Sequence, residues 1–238
     1  MKLACSSTAF DSSLRSGELT QLEWIDLCAH ELAVDGVVLD VRHFPRFDTD
    51  YLAQVKKMAT DLGLCIAAVR SDGFFSSDDA HMLEHVAMAQ TLGSPLLSAP
   101  APLETSASWS DALVKFGTAA GMAKEHNITL ALRNAPHTFG ATTPDMKRVS
   151  KEADSAWLRY GPHFAALDSA SEPQALLPKT VLVWADLDES RPEELVQLLG
   201  GYLGFVALDD AQGVAAAEPA KNALRRWRSA LFASIDRT

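Results

Sequence analysis

The stretch ITLALRN, residues 128–134, shows the unit from which the whole chain is built. Its apolar run Ile128–Leu132 predicts a buried strand, and the polar pair Arg133-Asn134 follows directly at the carboxyl end. An amphipathic segment at about 110–126 precedes the strand, and Thr143-Pro144 opens another after it, with proline at the first helical position. A strand between two helices predicts a parallel sheet with crossover helices.

The same alternation extends from this unit to both ends of the chain. Short apolar or β-branched runs predict further strands at Lys2–Ser6, Val37–Val41, Leu64–Val69, Pro95–Ser98, Trp157–Tyr160 or Phe164–Leu167, Thr180–Ala185 and Gly204–Leu208. The spacing of Thr20 and Glu23, and of Ser190 and Glu193, predicts capping boxes at two helix starts. A short helix is predicted around Pro173–Leu177.

Eight strand–helix units in 238 residues predict the α/β class and a single (β/α)8 TIM barrel that spans residues 1–238 as one domain. An open doubly wound sheet would show the same alternation. Such sheets usually carry a glycine-rich phosphate loop, and the sequence has neither GxGxxG after the first strand nor GxxxxGK[ST] anywhere. The barrel is therefore the preferred fold.

Composition narrows the classes of partner and compartment. The net charge of −10 disfavours nucleic acid as a partner, because an acidic surface repels phosphate backbones. The sequence has no apolar run of about 18 residues, so no membrane association is predicted. The polar start of the chain does not resemble a signal peptide, and three scattered cysteines, Cys5, Cys28 and Cys65, predict buried free thiols. A cytoplasmic location is the resulting expectation.

Polar residues at the carboxyl ends of barrel strands converge on one mouth. The predicted strand ends supply a set of charged, polar and aromatic side chains: Asp40, Arg42, His43, Arg70, Asp72, Arg133, Asn134, His137, His163, Asp168, Trp184, Asp186, Asp209 and Asp210. Alternation within strands puts Arg133, Trp184 and Asp209 on faces that, if they point inward, meet near the barrel axis. Asp168 is expected to join them.

Four segments resemble successive landmarks of the xylose isomerase-like barrels: MKLACSSTAF (1–10), VDGVVLDVRHFP (34–45), ITLALRNAPHTFG (128–140) and GYLGFVALDD (201–210). The likeness covers essentially the whole chain and implies a sugar isomerase or epimerase. In that family a glutamate closes strand five, an aspartate follows strand six, a histidine ends strand seven and a glutamate closes strand eight. These four bind one divalent metal, and in the epimerase branch the two glutamates also exchange protons with the carbon that is inverted.

The chain departs from this metal-binding set. Arg133 stands in LALRN where the family has LALEN, and the strand-seven position is Trp184 or Leu182, neither of which binds a metal. Asp209 is one methylene shorter than glutamate, and Asp168 alone matches in type. A guanidinium carries only donors and would repel a cation, so no cofactor is predicted unless the family's divalent metal persists despite Arg133. Arg133 is expected to pair with Asp168 and Asp209 instead.

The resemblance and these departures together assign roles. Arg133, Asp168 and Asp209 are the predicted catalytic residues: a carboxylate takes a proton beside a carbonyl, and Arg133 stabilises the enediolate. The predicted substrate-binding residues are His43, Arg70, Asn134, His137, Trp184 and Asp186. Two interpretations stay open for Arg133, an internal salt bridge or a site for a carboxylate or phosphate. Trp184 is read either as a core-filling ring or as a platform for a sugar face.

Whether the chain is an enzyme stays open at this point. One hypothesis is isomerisation or epimerisation of a small polyhydroxy carbonyl compound at an altered, metal-free site. The alternative is a catalytically silent barrel that binds a small polar or anionic ligand, because fold alone does not fix function. A DNA-repair endonuclease of the same superfamily is disfavoured by the net charge of −10. The expected partner is a small sugar-like molecule, and such a barrel is compatible with a homodimer.

Overall fold

Parallel strands form a closed ring at the centre of the molecule. The computed structural model describes residues 1–167 and 173–235, and within them eight strands make a single (β/α)8 TIM barrel. The strands are β1 (Lys2–Ser6), β2 (Gly36–Asp40), β3 (Cys65–Arg70), β4 (Leu96–Pro100), β5 (Thr129–Arg133), β6 (Leu158–Tyr160), β7 (Leu182–Asp186) and β8 (Phe205–Asp209). Strand β1 pairs with both β2 and β8, and bridges between Tyr160 and Thr180 and between His163 and Trp184 join β6 to β7.

Helices surround this ring. They are α1 (Asp11–Ser16), α2 (Gln21–His30), α3 (Thr49–Asp61), α4 (Asp79–Leu92), α5 (Trp109–Glu125), α6 (Thr143–Ala153), α7 (Pro192–Leu198) and α8 (Ala217–Ile235). Their apolar faces pack against the outer face of the sheet to form the larger core, which includes Trp24, Phe116 and Trp227. Among the described residues, no helix is both long enough and apolar enough to cross a membrane.

Helix starts test the two predicted capping boxes. The box at Thr20 and Glu23 is present, with each side chain accepting from the backbone of the other residue. The prediction of a capping box at Ser190 is wrong. The N-cap residue of α7 is Arg191, which makes no side-chain cap, and the Ser190 hydroxyl donates to the Glu189 side chain instead. Proline at position 192 sets the helix start, so the helix begins without a serine cap.

The sixth unit was ambiguous in the sequence. Strand β6 is Leu158–Tyr160, within the first of the two predicted segments, whereas Phe164–Ala166 is a 3-10 turn. The short helix predicted next is a 3-10 helix over Pro173–Lys179. Cys5 and Cys28 are buried as predicted, but Cys65 is exposed, because it opens β3 at the amino end of the barrel.

The inside of the barrel is filled mainly by small side chains around one large ring. A separate inner core consists of Ala4, Val38, Ala67, Ala68, Ala131, Leu182, Trp184 and Ala207. Trp184 is only 2% exposed, and its indole Nε1 donates to Ser98 Oγ at 3.2 Å. The alanines leave the volume that the indole occupies, which confirms the core-filling interpretation of Trp184. The ring also forms the floor of the barrel mouth.

Candidate functional site at the barrel mouth

The last residues of three strands are charged, and their side chains lie at the barrel mouth near the Trp184 ring. Arg70 ends β3, Arg133 ends β5 and Asp209 ends β8. Each shares a strand face with an alanine of the inner core, so the alternation of the strands directs it into the barrel. The guanidinium carbons of Arg70 and Arg133 lie 5.3 and 5.4 Å from the centroid of the Trp184 ring. Both distances are within the range of cation–π attraction.

Arg70 is the most heavily paired residue of the mouth. Its Nη1 donates to Asp209 Oδ2 at 2.5 Å and to Thr8 Oγ1 at 2.7 Å. Its Nε and Nη2 donate at 2.9 Å to the two oxygens of Asp72, and Nε lies 3.5 Å from Asp40. Burial lowers the pKa of Arg70, but the hydrogen bond to Asp72 and the surrounding carboxylates raise it further than burial lowers it. Arg70 therefore stays charged and links Asp72, after its own strand, to Asp209 at the end of β8.

Asp209 is held from three directions. Its Oδ1 accepts from Thr8 Oγ1 at 2.5 Å and from the backbone N–H of Asp210 at 2.9 Å, while Oδ2 accepts from Arg70. The expected Arg133–Asp209 pair is wrong: within the described residues Asp209 forms its ion pair with Arg70, and Arg133 forms its ion pair with Asp72. Asp168, the other expected partner of Arg133, lies outside the described residues, so its predicted role stays a prediction.

Arg133 contacts a different acid, and its Nε has no acceptor among the described residues. Its Nη2 donates to Asp72 Oδ1, so Asp72 bridges the two arginines. Its Nε is buried and has no hydrogen-bond partner in the part of the chain that the structure describes. Burial, and then the nearby charge of Arg70, lower the pKa of Arg133 from its ordinary value. The Arg133 side chain is 15% exposed, so it is sheltered but reachable from the mouth.

The end of β2 forms a second, more enclosed network. Asp40 is fully buried and accepts from Arg42 Nε at 2.9 Å and Nη2 at 3.0 Å. His43 lies between Ser7 Oγ, 2.8 Å from Nδ1, and Asp11 Oδ1, 2.9 Å from Nε2. Both ring nitrogens of His43, a predicted substrate-binding residue, are therefore engaged within the protein. Here His43 joins the end of β2 to the turn after β1.

Across the mouth, Asn134 positions the histidine that follows β6. Asn134 Oδ1 accepts from the backbone N–H of His163 at 2.7 Å, and its Nδ2 donates to the His163 carbonyl at 3.2 Å. His163 Nε2 then lies 3.4 Å from Asp186 Oδ1, which is long for a hydrogen bond. This contact lowers the pKa of Asp186. Asn134 is thus a backbone clamp, and Asp186 sits beside an imidazole.

Sequence reasoning missed the roles of three residues in this arrangement. Asp72 and His163 stood among the strand-end residues without an assigned role, because only the geometry shows that one bridges two arginines and the other faces Asp186. Nothing in the sequence pointed to Thr8. His137, a predicted substrate-binding residue, is exposed in the loop after β5 with a positive φ of 60°, and its carbonyl accepts from the Glu104 backbone.

The described residues do not suit a divalent cation. Within residues 1–167 and 173–235, no group of three histidine, cysteine, aspartate or glutamate side chains is arranged to hold a metal ion. Asp40, Asp72 and Asp209 each contact a guanidinium, whose positive charge would repel a cation bound to the same carboxylates. The donor set of the mouth therefore favours a ligand with acceptor groups.

Solved structures share this architecture although no family model and no curated protein matches the sequence. D-psicose 3-epimerase from Clostridium cellulolyticum H10, with D-tagatose, superposes with a TM-score of 0.78 at 12% identity over 97% of this chain and 99% of that one. A xylose isomerase domain protein from Alicyclobacillus acidocaldarius gives 0.72 at 14% identity over 98% of both chains. The probable 3-DHS dehydratase AsbF of petrobactin synthesis from Bacillus anthracis gives 0.74 at 15% over 94% and 98%. The fold is that of the xylose isomerase-like TIM barrels, as the sequence resemblance predicted.

Proposed function

We propose that the mouth of this barrel binds a small polyhydroxy carbonyl compound and isomerises or epimerises it without a metal ion. The observation that supports this most directly is the pair of guanidinium groups above Trp184, one of which, Arg133, stands at the strand end where the resemblance expects a metal ligand. Fixed donors aimed at a developing oxyanion supply the electrostatic stabilisation that a cation would otherwise give. D-psicose 3-epimerase, which has the same fold, is named for the epimerisation of a sugar.

The reaction needs one proton removed and one returned. A base takes the proton from the carbon next to the carbonyl, and the electron pair of that C–H bond moves onto the carbonyl oxygen as an enediolate forms. Among the residues that the structure describes, the Nε of Arg133 has no acceptor and could donate to this oxygen. Return of a proton to the same carbon from the opposite face inverts it. Return of a proton to the former carbonyl carbon, with transfer of the hydroxyl proton from the adjacent oxygen to the enediolate oxygen, moves the carbonyl group along the chain.

The proton carrier is best sought in Asp186 and His163. Asp209, which with Asp168 was one of the two predicted bases, already accepts from Thr8, Arg70 and the Asp210 backbone, so abstraction of a proton by it would disrupt the ion pair with Arg70. Asp186 has His163 beside it rather than a guanidinium. An imidazole has one nitrogen that can donate a proton and one that can accept it, which suits general acid–base catalysis. We therefore assign Asp209 to holding Arg70 and the proton step to the His163–Asp186 pair.

Deuterium exchange tests the enzyme directly. The chain would be incubated in D2O with EDTA and with ketoses such as D-fructose, D-psicose and D-tagatose, and loss of the proton next to the carbonyl would be followed by NMR. We expect exchange without added metal, and a loss of at least about 100-fold in Asp186→Asn and in His163→Gln, the low end for one general acid–base group. Glu152→Gln, on the outer helix α6, is the matched carboxylate control and should leave the rate unchanged.

Two results would contradict this proposal. One is stoichiometric Mn, Zn or Mg in the purified protein, together with exchange that EDTA abolishes. The other is exchange that Asp209→Asn abolishes, at a pH where that variant is still folded, while Asp186→Asn leaves it intact; that result would restore Asp209 as the base.

A second candidate function is a silent barrel that binds its ligand without turnover. It is favoured by the engagement of Asp72, whose two oxygens accept from Arg70, and of Asp209, whose oxygens accept from Thr8 and Arg70. Such a protein would bind a polyhydroxy compound, with a rise in melting temperature, and would show no deuterium exchange with the same compound. The two measurements together separate the candidates.

A further inference from the structure

We infer that the ligand of this mouth carries a negatively charged group, a carboxylate or a phosphate, and that this group binds Arg133. The inference rests on the proposed function in one respect, that the mouth binds a small polyhydroxy compound. It adds the substrate class: a sugar acid or sugar phosphate rather than a neutral sugar.

Arg133 has a donor, Nε, that no described residue accepts from. A guanidinium offers five N–H groups, and here Nη2 donates to Asp72 while the buried Nε has no acceptor among the residues that the structure places. A buried donor without a partner is costly, and more so when it is charged. A ligand oxygen that met the exposed part of the guanidinium and reached Nε after a small shift of the side chain would remove that cost, so the side chain favours a bound acceptor.

Charge is also unevenly shared between the two arginines. Arg70 contacts Asp72, Asp209 and Asp40. Among the described residues, Arg133 forms an ion pair with Asp72 alone, and Asp72 also pairs with Arg70. Arg70 lies near enough to disfavour the positive charge of Arg133, in addition to the effect of burial. Counting the residues that the structure describes, Arg133 has fewer acidic partners than Arg70, so an incoming anion would be stabilised at that end of the mouth.

The position of Arg133 is fixed before a ligand arrives. Its guanidinium lies over the Trp184 ring, and that ring is held by the hydrogen bond from Nε1 to Ser98. A side chain that is already ordered loses little conformational entropy on binding. The planar fork of arginine matches the two oxygens of a carboxylate or phosphate, which a neutral hydroxyl does not offer.

Matched ligand pairs test this inference by calorimetry at constant ionic strength. D-gluconate against D-glucitol isolates a carboxylate, and D-fructose 6-phosphate against D-fructose isolates a phosphate. We expect the charged member of at least one pair to bind at least about tenfold more tightly, which corresponds to one charge-assisted interaction. Which pair shows the difference identifies the anion.

Arg148 provides a matched control variant. Its guanidinium also lies over a tryptophan, 3.9 Å from the Trp109 centroid, and also pairs with an acid, Glu152, but on the outside of the barrel. Arg133→Gln should abolish the preference for the charged member, Arg133→Lys should keep part of it, and Arg148→Gln should leave it unchanged. A preference that persists in Arg133→Gln would overturn the assignment.

The remaining outcomes separate this inference from the proposed function. Equal binding of both members of each pair would overturn the inference and leave the proposed function standing. No binding of any member would overturn both. A wild-type protein without preference that gains one in Asp168→Asn would show that Asp168 occupies the Arg133 donors, and would also overturn the inference.

Discussion

The two halves of the barrel mouth contain the same types of charged residue but differ in how many of their hydrogen-bonding groups have partners. The paired half, on β8, β1 and β3, consists of Thr8, Arg70, Asp72 and Asp209, in which Arg70 and both acids are saturated by partners. The open half, on β5, β6 and β7, consists of Arg133, His163 and Asp186. In this open half, Arg133 Nε and His163 Nε2 form no hydrogen bond of good geometry with any residue that the structure describes. Hydrogen-bond saturation, rather than the presence of arginine and aspartate, therefore distinguishes structural charge from charge available to a ligand.

Trp184 lies beneath both halves, so its removal should have the largest effect. Trp184→Ala would leave a cavity in the inner core and withdraw the ring below Arg70 and Arg133. We expect the free energy of unfolding to fall by about 3–5 kcal/mol, measured by urea denaturation. Trp184→Phe should lose clearly less. A loss below about 1 kcal/mol for the alanine variant would mean that the two halves do not depend on a common floor.

The two arginines test the comparison itself. Arg70→Met leaves Asp72 and Asp209 without their main partner in a largely buried site, and should cost about 3 kcal/mol of unfolding free energy. Arg133→Met breaks one pair with an acid whose side chain is 38% exposed, and should cost about 1 kcal/mol or less. Equal losses in urea denaturation would show that the paired half is no more structural than the open half.

The Asn134 clamp should have a smaller and local effect. Asn134→Ala leaves the backbone N–H and carbonyl of His163 without the asparagine side chain, so we expect a loss of about 1–2 kcal/mol. Amide hydrogen exchange should speed up around residue 163 and stay unchanged at Arg70. Asn222→Ala on the outer helix α8 is the control, since Asn222 accepts from Arg225 at the surface. Faster exchange across the whole barrel would argue against a local clamp.

The pH dependence of stability should report the paired half with the smallest signal. Burial would raise the pKa of Asp72, but the hydrogen bond from Arg70 and the charges of Arg133 and Arg70 hold it below the ordinary value. A carboxyl with a lowered pKa adds stability above its unfolded pKa of about 4, and this stability is lost as the pH falls through the folded pKa. Asp72→Asn should therefore flatten the fall of the unfolding free energy below about pH 4. An unchanged slope would contradict this assignment.

The fold was accessible from the sequence because it depends on periodicity. The run Ile128–Leu132 and its counterparts predict strands without reference to distant residues, and the barrel follows from their number. The site was less accessible, because its pairing depends on which side chains reach across the ring. Arg70 and Arg133 were identified as mouth residues, but their division of Asp72 and Asp209 depends on side-chain reach, which a linear pattern does not encode. His163 acquires a role only through its position beside Asp186, on the next strand.

The alanine-lined interior has a consequence for how this barrel could change its ligand. Ala4, Ala131 and Ala207 leave the height of the mouth floor to a single side chain, Trp184. Under the proposed function, replacement of Trp184 by a smaller apolar residue would deepen the mouth and lengthen the ligand that it admits. Selectivity for ligand length would then depend on one residue, separate from the arginines proposed to set selectivity for charge.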